Sequence, residues 1–398
     1  TPKIRFKGFS DDWEQRKLGE ISDVIGGGTP STGISGYWNG DIDWYAPAEI
    51  GNQIYVAKSK KRITKLGLEN SSARILPIGT ILFTSRAGIG NTAILAKEAT
   101  TNQGFQSIVP KKGILDSYFL FSKTSELKQY GETMGAGSTF VEVSGKQMTQ
   151  MPILIPSWEE QQVIGLCFRK FDDLITLHQR KCDALKKIKQ ALLQKMFPEN
   201  GSLIPEIRFK GFSDDWEQRK LGDIAKKATG GGTPSTQVKE YWSGTIPWIQ
   251  SSDLMDGNVI DVFPKKHITQ QALTGSATRL ICEESIAIVT RVGVGKVAYM
   301  QFPYATSQDF LSLSNLLVSG LFGVYSISKL MGSLLHEVQG TSIKGVTKDE
   351  LLKREVFVPS AFEEQMKIGI CFHTLDNLIT LHQRKCDALK KIKQALLQ

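Results

Sequence analysis

The sequence predicts an α+β chain: two globular domains joined by two long antiparallel helices that form a coiled-coil spacer, with a pseudo-twofold internal repeat. Three observations predict it. The segment IRFKGFSDDWEQRKLG runs from Ile4 to Gly19 and returns letter for letter from Ile207 to Gly222. The segment LITLHQRKCDALKKIKQALLQ runs from Leu174 to Gln194 and returns from Leu378 to Gln398. Between these flanks, short β-rich runs alternate with Gly, Pro, Asn and Ser punctuation and with helical runs, which favours α+β over pure β. Internal repetition of this kind decides the architecture before any residue-level reading.

The copies diverge between their flanks, yet a skeleton survives at a nearly constant offset. Gly26-Gly27-Gly28-Thr29-Pro30-Ser31-Thr32 returns as Gly230-Gly231-Gly232-Thr233-Pro234-Ser235-Thr236. Tyr37-Trp38 and Trp44 return as Tyr241-Trp242 and Trp248, and Arg86-Ala87-Gly88-Ile89-Gly90 as Arg291-Val292-Gly293-Val294-Gly295. Thr101-Asn102-Gln103-Gly104-Phe105 becomes Thr306-Ser307-Gln308-Asp309-Phe310. Matched skeletons with different surfaces imply one fold presenting two faces.

Within the domains, Thr80 to Thr84 and Ser285 to Thr290 read as buried strands, each followed by a Gly-containing turn. Leu115 to Gln129 reads as helical. The longest uncharged stretch, Phe310 to Ser328, is broken by Ser, Gly and Asn and reads as core rather than as a membrane span. After Pro156 and Pro359 the pattern becomes helical. Glu159-Glu160-Gln161 and Glu363-Glu364-Gln365 place acids in a first turn, where the helix dipole favours them. Neither Gly nor Pro interrupts the first copy from Cys167 to Pro198, so a helix from Glu159 to Met196, about 57 Å long, is expected. That length suits a spacer.

Heptads give the apolar face of this helix. With Phe171 at position a, His178, Leu185 and Leu192 share its row; Leu174, Lys181 and Ile188 fall at d, Ile175 and Cys182 at e, and Leu177, Ala184 and Ala191 at g. Positions a, d, e and g cover about 160° of the helix, wider than a two-stranded seam requires. Phe171, Leu174, Leu177, Leu185, Ile188 and Leu192, with Leu378, Leu381, Leu389, Ile392 and Leu396 in the second copy, are therefore candidate interface residues. The two helices are expected to pack together, with the remainder covered by helices of another protein or, alternatively, by the flanking domains. The basic runs Lys186-Lys187-Ile188-Lys189 and Lys390-Lys391-Ile392-Lys393 read most simply as solvated faces, with screened attraction to DNA passing along the spacer as the alternative. His178 and His382 fall in the seam and are expected to be hydrogen-bonded there.

Composition sets the outer bounds. The chain is 40% hydrophobic and 22% charged, which is globular rather than disordered. A formal charge of +9 suits a polyanionic partner without proving one. The five cysteines show no CxxC spacing and no His at ligand spacing, so reduced thiols are the simpler reading. The N-terminus carries no signal-peptide pattern.

Several motifs can meet nucleic acid. The GGGTPST loops, through Gly28, Thr29 and Ser31 and through Gly232, Thr233 and Ser235, can grip a phosphate with consecutive amides; a tight turn needing positive φ is the alternative. Arg86 and Arg291 sit in matching turns and can reach a phosphate or a guanine edge, or be tied to a carboxylate or carbonyl instead. Asn102, Gln103 and Gln308 can read adenine edges, or bond to backbone instead. Gly293-Val294-Gly295-Lys296 lacks the first Gly and the final Ser or Thr of a P-loop. Neither an NPPY-like methyltransferase motif nor a carboxylate cluster for metal-dependent cleavage is found, and Asp11-Asp12 and Asp214-Asp215 read as turn caps.

The GGGTPST loops, the YW-x-G-x-I-x-W runs (Tyr37 to Trp44, Tyr241 to Trp248), the RAGIG and RVGVG turns and the helix openings at Glu159–Gln161 and Glu363–Gln365 occur in this order, in duplicate. On these motifs the chain resembles the specificity (S) subunit of type I restriction–modification systems, over essentially its whole length. The resemblance implies a non-catalytic cytoplasmic protein without a cofactor of its own. It implies target recognition domains at 1–155 and, with a linker, at 198–358, each reading one half of a split, asymmetric site in double-stranded DNA. It implies spacer helices at 156–197 and 359–398 that set the gap between half-sites and dock two methyltransferase (M) subunits. S-adenosylmethionine belongs to those subunits, and ATP and Mg2+ to restriction/motor (R) subunits joined through them. From the residues alone, a coiled-coil protein without a DNA role and a self-contained DNA-modifying enzyme remain open alternatives.

Overall fold

Arg16 lies opposite Ile153 across a short antiparallel pair that ties the start of the first repeat to its end. The computed structural model describes residues 2, 4–86, 88–136, 142–199, 201–255, 257–337 and 345–397; Ala87 of the first Arg-Gly turn lies outside the described residues. The fold is mixed α+β, and the chain divides into two units, Thr1–Leu177 with Lys385–Gln398 and His178–Arg384.

In chain order the first unit carries β1 (Glu14–Lys17), α1 (Leu18–Ile21), β2 (Ser22–Gly26), β3 (Trp38–Tyr45), β4 (Tyr55–Val56), β5 (Lys61–Ile63) and α2 (Lys65–Glu69). It continues with β6 (Ile81–Phe83), β7 (Thr92–Leu95), β8 (Thr100–Thr101), β9 (Gln106–Pro110), α3 (Ser117–Ser122), α4 (Thr124–Gly135), α5 (Gly145–Thr149), β10 (Pro152–Ile155) and the opening of α6 (Trp158–Lys195). A five-stranded sheet has the order β2-β9-β6-β7-β4, and a three-stranded sheet the order β5-β3-β8. The expected strand at Thr80–Thr84 is β6, and its period of two explains its unbroken apolar run. Ile81 and Phe83 enter one core with Phe119, Leu127 and Ile153, while Leu82 enters a second with Tyr45, Ile50 and Phe105. Full burial of each such side chain contributes about 1.5–3 kcal/mol. The helical run expected from Leu115 is broken into α3 and α4; Asp116 caps α3 by accepting from the Phe119 amide at 2.8 Å.

The second unit repeats this plan with β11 (Glu217–Lys220), β12 (Ala225–Gly230), β13 (Ile246–Ile249), β14 (Lys266–Ile268), α7 (Gln270–Thr274), β15 (Ser285–Val289), β16 (Val297–Met300), β17 (Ala305–Thr306) and β18 (Phe310–Leu316). Then come α8 (Gly320–Glu337), α9 (Lys348–Lys353), β19 (Glu355–Val358) and the opening of α10 (Phe362–Leu396). Its sheets have the orders β12-β18-β15-β16 and β14-β13-β17, and β11 pairs with β19 as β1 does with β10. β15 repeats the division of β6: Ile286 and Ile288 face one core, Ala287 and Val289 the other. The uncharged stretch from Phe310 resolves into β18 and α8, and among the described residues no helix is long and apolar enough to cross a membrane.

Both long helices form, at 38 residues for α6 and 35 for α10. Their starts are stapled rather than merely favoured by the dipole. Glu160 is buried and accepts two bonds from the Arg5 guanidinium at 2.7 and 2.6 Å; Glu364 does the same for Arg208 at 2.7 and 2.8 Å. Gln161 and Gln365 bond the amides of Asp116 and Ser319, so each helix start is fixed to the helix beside it. A side chain at Gly369 would put its Cβ 2.7 Å from that of Leu321, which is why the approach needs glycine.

Helix-to-helix contacts occur inside each unit. In the first, Cys386 of α10 lies 3.9 Å from the Ile175 carbonyl of α6, and Lys393 pairs with Asp172. In the second, Cys182 lies 4.0 Å from the Ile379 carbonyl, Lys189 pairs with Asp376, and the Nδ1 atoms of His178 and His382 are 2.9 Å apart. In both, residue numbers fall along one helix as they rise along the other, so the helices run antiparallel. The contacts follow the e row (Ile175, Cys182 and Lys189, with Ile379 and Cys386) flanked by His178 at a and Asp172 at b, so the paired seam takes up only part of the wider a, d, e and g face. Phe171, Leu185, Leu192 and Leu389 are half-buried. Leu174 and Leu177 remain 43% and 45% exposed, and Ile188, Leu378, Leu381, Ile392 and Leu396 are exposed too. Lys189 and Lys393, read from sequence as solvated, are largely withdrawn from solvent because a buried carboxylate faces each.

Candidate nucleic-acid interface

The GGGTPST loop leaves β2 and packs its backbone directly on neighbouring chain. A Cβ on Gly27 would lie 1.9 Å from the Asn102 carbonyl oxygen, and one on Gly231 1.9 Å from that of Ser307. Neither loop uses positive φ at these glycines, so close approach and not turn geometry demands them. The Gly28 amide donates to the Thr101 carbonyl at 2.9 Å, and the Gly232 amide to that of Thr306 at 2.9 Å. These amides are already engaged, which removes them from the anion nest envisaged from sequence and gives Gly28 and Gly232 a seating role.

Indole groups fasten the rest of the loop. Trp44 donates to the Gly28 carbonyl at 2.8 Å and Trp248 to that of Gly232 at 3.0 Å. Trp38 donates to the Ser31 carbonyl at 3.1 Å and Trp242 to that of Ser235 at 3.0 Å. Each pair of rings meets edge to face, with centroids 5.2 Å apart in the first unit and 4.9 Å in the second. The loop is thereby tied to β3 in the first unit and to β13 and the turn before it in the second, with Ser31 and Ser235 exposed.

The structure brings most of the sequence candidates to this loop. Thr29 donates its hydroxyl to the Gln103 side-chain oxygen, and Thr233 to that of Gln308. The Asn102 side chain accepts from the Gly104 amide at 2.8 Å, which occupies its oxygen locally and shapes the turn. Ser85, beside Arg86, donates its amide to the Gly104 carbonyl at 2.8 Å; Thr290, beside Arg291, donates to that of Asp309 at 2.7 Å. The Arg turn and the Gln turn are thus joined in both units. Arg86 lies 3.9 Å from Glu142 with both side chains more than a third exposed, a contact weak enough to exchange for a phosphate. Arg291 is exposed.

Two further residues complete the constellation, and the sequence reading missed them. Lys61 on β5 stands opposite Trp44 in register, its ammonium 5.6 Å from the centroid of Trp38. Lys266 on β14 stands opposite Trp248, 5.6 Å from Trp242 and 5.7 Å from Trp248. The available signal was a repeated K-K-x-I-T, Lys60 to Thr64 and Lys265 to Thr269. Its threonines cap α2 and α7. Beside this sheet, burial raises the Asp43 carboxyl, but bonds from the Ser59 amide and hydroxyl and from Lys97 outweigh it and hold the group below its ordinary range. Each unit therefore gathers hydroxyl, amide, guanidinium and ammonium groups around one loop. Such a set can bond phosphate oxygens and base edges. Among the described residues, no group of three or more His, Cys, Asp and Glu side chains is placed to hold a metal ion.

The chain matches the family described as Type I restriction modification DNA specificity domain twice, over residues 10–187 and 213–391. It is 33% identical to the type I restriction enzyme MjaIX specificity subunit of Methanocaldococcus jannaschii, covering 97% of this chain and 92% of that protein. It is 30% identical to the EcoR124I/EcoR124II specificity subunit of Escherichia coli over 43% of each chain. In fold it resembles the crystal structure of a type I restriction–modification S subunit from M. genitalium, with a TM-score of 0.66 at 14% identity, covering 100% of this chain and 98% of that one.

Proposed function

Because the chain belongs to the type I restriction–modification DNA specificity family, we propose that it reads a bipartite, asymmetric site in double-stranded DNA, one half with each unit. The observation that carries this reading is the duplicated constellation. Thr29, Gln103, Arg86 and Lys61 in one unit, and Thr233, Gln308, Arg291 and Lys266 in the other, surround loops of identical sequence on otherwise different domains. Ser31, Asn102 and Ser235 belong to the same surfaces. Phosphate contacts fix register, and base-edge contacts supply sequence.

The recognition domains in this reading are residues 1–155 and, with the linker, 198–358; residues 156–197 and 359–398 form a paired spacer that sets the gap. The exposed rows on α6 and α10, with Leu174, Leu177 and Ile188 and with Leu378, Leu381 and Ile392, are where methyltransferase subunits dock. Restriction subunits join through them. Chemistry belongs to those partners, which bring S-adenosylmethionine, ATP and Mg2+, and the assembly works in the cytoplasm, on DNA.

Binding of the purified chain to duplex DNA at two salt concentrations tests the reading. Phosphate-driven binding weakens steeply with salt. A chain that ignores DNA at both concentrations returns the coiled-coil alternative, and methyl transfer or cleavage by the chain alone returns the enzyme.

A further inference from the structure

Lys61 and Lys266 occupy matching positions, opposite Trp44 and Trp248, beside the two loops. Both are exposed, and among the described residues neither forms an ion pair with a carboxylate. Each ammonium instead rests over an indole face, 5.6 Å from the centroid of Trp38 or Trp242. Those indoles are not free to turn, since each donates to a carbonyl of the recognition loop and meets a second tryptophan at 87° or 90°. A lysine over a fixed ring is confined near the loop before any ligand arrives, so it loses less side-chain freedom on making a contact. A second exposed lysine, Lys60 or Lys265, precedes each one.

The arrangement recurs in both units although the surfaces that would read bases differ. What two different half-sites share is the phosphate backbone. We propose that Lys61 and Lys266 are phosphate anchors, one per half-site, that fix the register of each domain on DNA without reading sequence. The proposal rests on the DNA-recognition reading above and deepens it. A lysine suits the role because its ammonium is a point charge indifferent to base identity, unlike the forked guanidinium of Arg86 or Arg291.

Salt titration of binding by the full chain to a random-sequence duplex tests it. Each phosphate contact contributes about 0.9 to the slope of log affinity against log salt. Lys61→Ala and Lys266→Ala should each flatten the slope by about that amount, and the double variant by about twice as much. Lys61→Gln, which retains a stem over Trp38, should flatten it equally, and Lys61→Arg should restore it. Preference for a duplex carrying the recognition site over one lacking it should stay unchanged. Unaltered slopes in folded variants overturn the anchor role alone, as does a changed preference at one half-site. No salt-dependent binding by the unsubstituted chain overturns the DNA reading itself.

Discussion

Asp172 of α6 receives the Lys393 ammonium of α10 at 2.7 Å from each carboxylate oxygen, while the Tyr118 hydroxyl donates to the same group at 2.8 Å. The second unit builds the same triad from Asp376, Lys189 and Tyr325. Each triad ties a domain to both long helices by charge-assisted bonds among largely buried groups. Removing the carboxylate leaves an ammonium and a phenol facing a void. Asp172→Ala should therefore cost about 3 kcal/mol in urea unfolding. A loss near zero would mean that Lys393 finds solvent freely.

The same triads predict an alkaline limit. Burial first, then the neighbouring carboxylate, raises the Tyr118 and Tyr325 hydroxyls above their ordinary 10.0. The folded state keeps these protons after the unfolded chain has begun to release them. Stability from the two phenols is thus intact below the unfolded value and falls as pH rises beyond it. Urea unfolding between about pH 9 and 11 should show a shallower decline for Tyr118→Phe/Tyr325→Phe than for the unsubstituted chain. Equal declines would remove the two tyrosines from the account.

Arg86→Ala should act on one half-site. If its guanidinium pairs with a base edge or adjoining phosphate of the first half, affinity should fall by about 1–3 kcal/mol for that half alone. Methylation mapping would then show relaxed sequence there and unchanged sequence in the half read by the other unit. Equal weakening at both halves would make Arg86 a general electrostatic residue.

The exposed leucine rows make a separable prediction. Leu177→Glu with Leu381→Glu should leave the melting temperature within about 2 °C, since both side chains already meet solvent. Co-purification with a methyltransferase partner should be lost. A large fall in melting temperature would place these leucines inside the fold instead.

Local signals made much of the architecture legible. The strand at Ile81–Phe83 announced itself because burial on both faces leaves no polar position, and α6 because neither Gly nor Pro interrupts it after Gly165. Thr29 and Gln103 were found because both copies keep them. Asp172 was not, since a carboxylate on a basic helix reads as solvated until Tyr118 and Lys393 approach it from distant sequence. Within the a, d, e and g face expected from sequence, the close approach falls on Ile175 and on the small Cys182 and Cys386, which let the helices meet, while Leu174 and Leu177 stay exposed. The glycine loops were noticed but the reason for their glycines was not, because close packing of backbone on backbone leaves no mark in a single sequence.

Methylated-motif sequencing in cells carrying this chain with a methyltransferase partner tests the proposed function most directly, namely the proposal that paired helices set the gap between two half-sites. Inserting one helical turn of four residues into the spacer, where α6 and α10 face each other, should lengthen the gap between half-sites by about two base pairs. Both half-site sequences should stay as they were. Altered half-sites with an unchanged gap would contradict it.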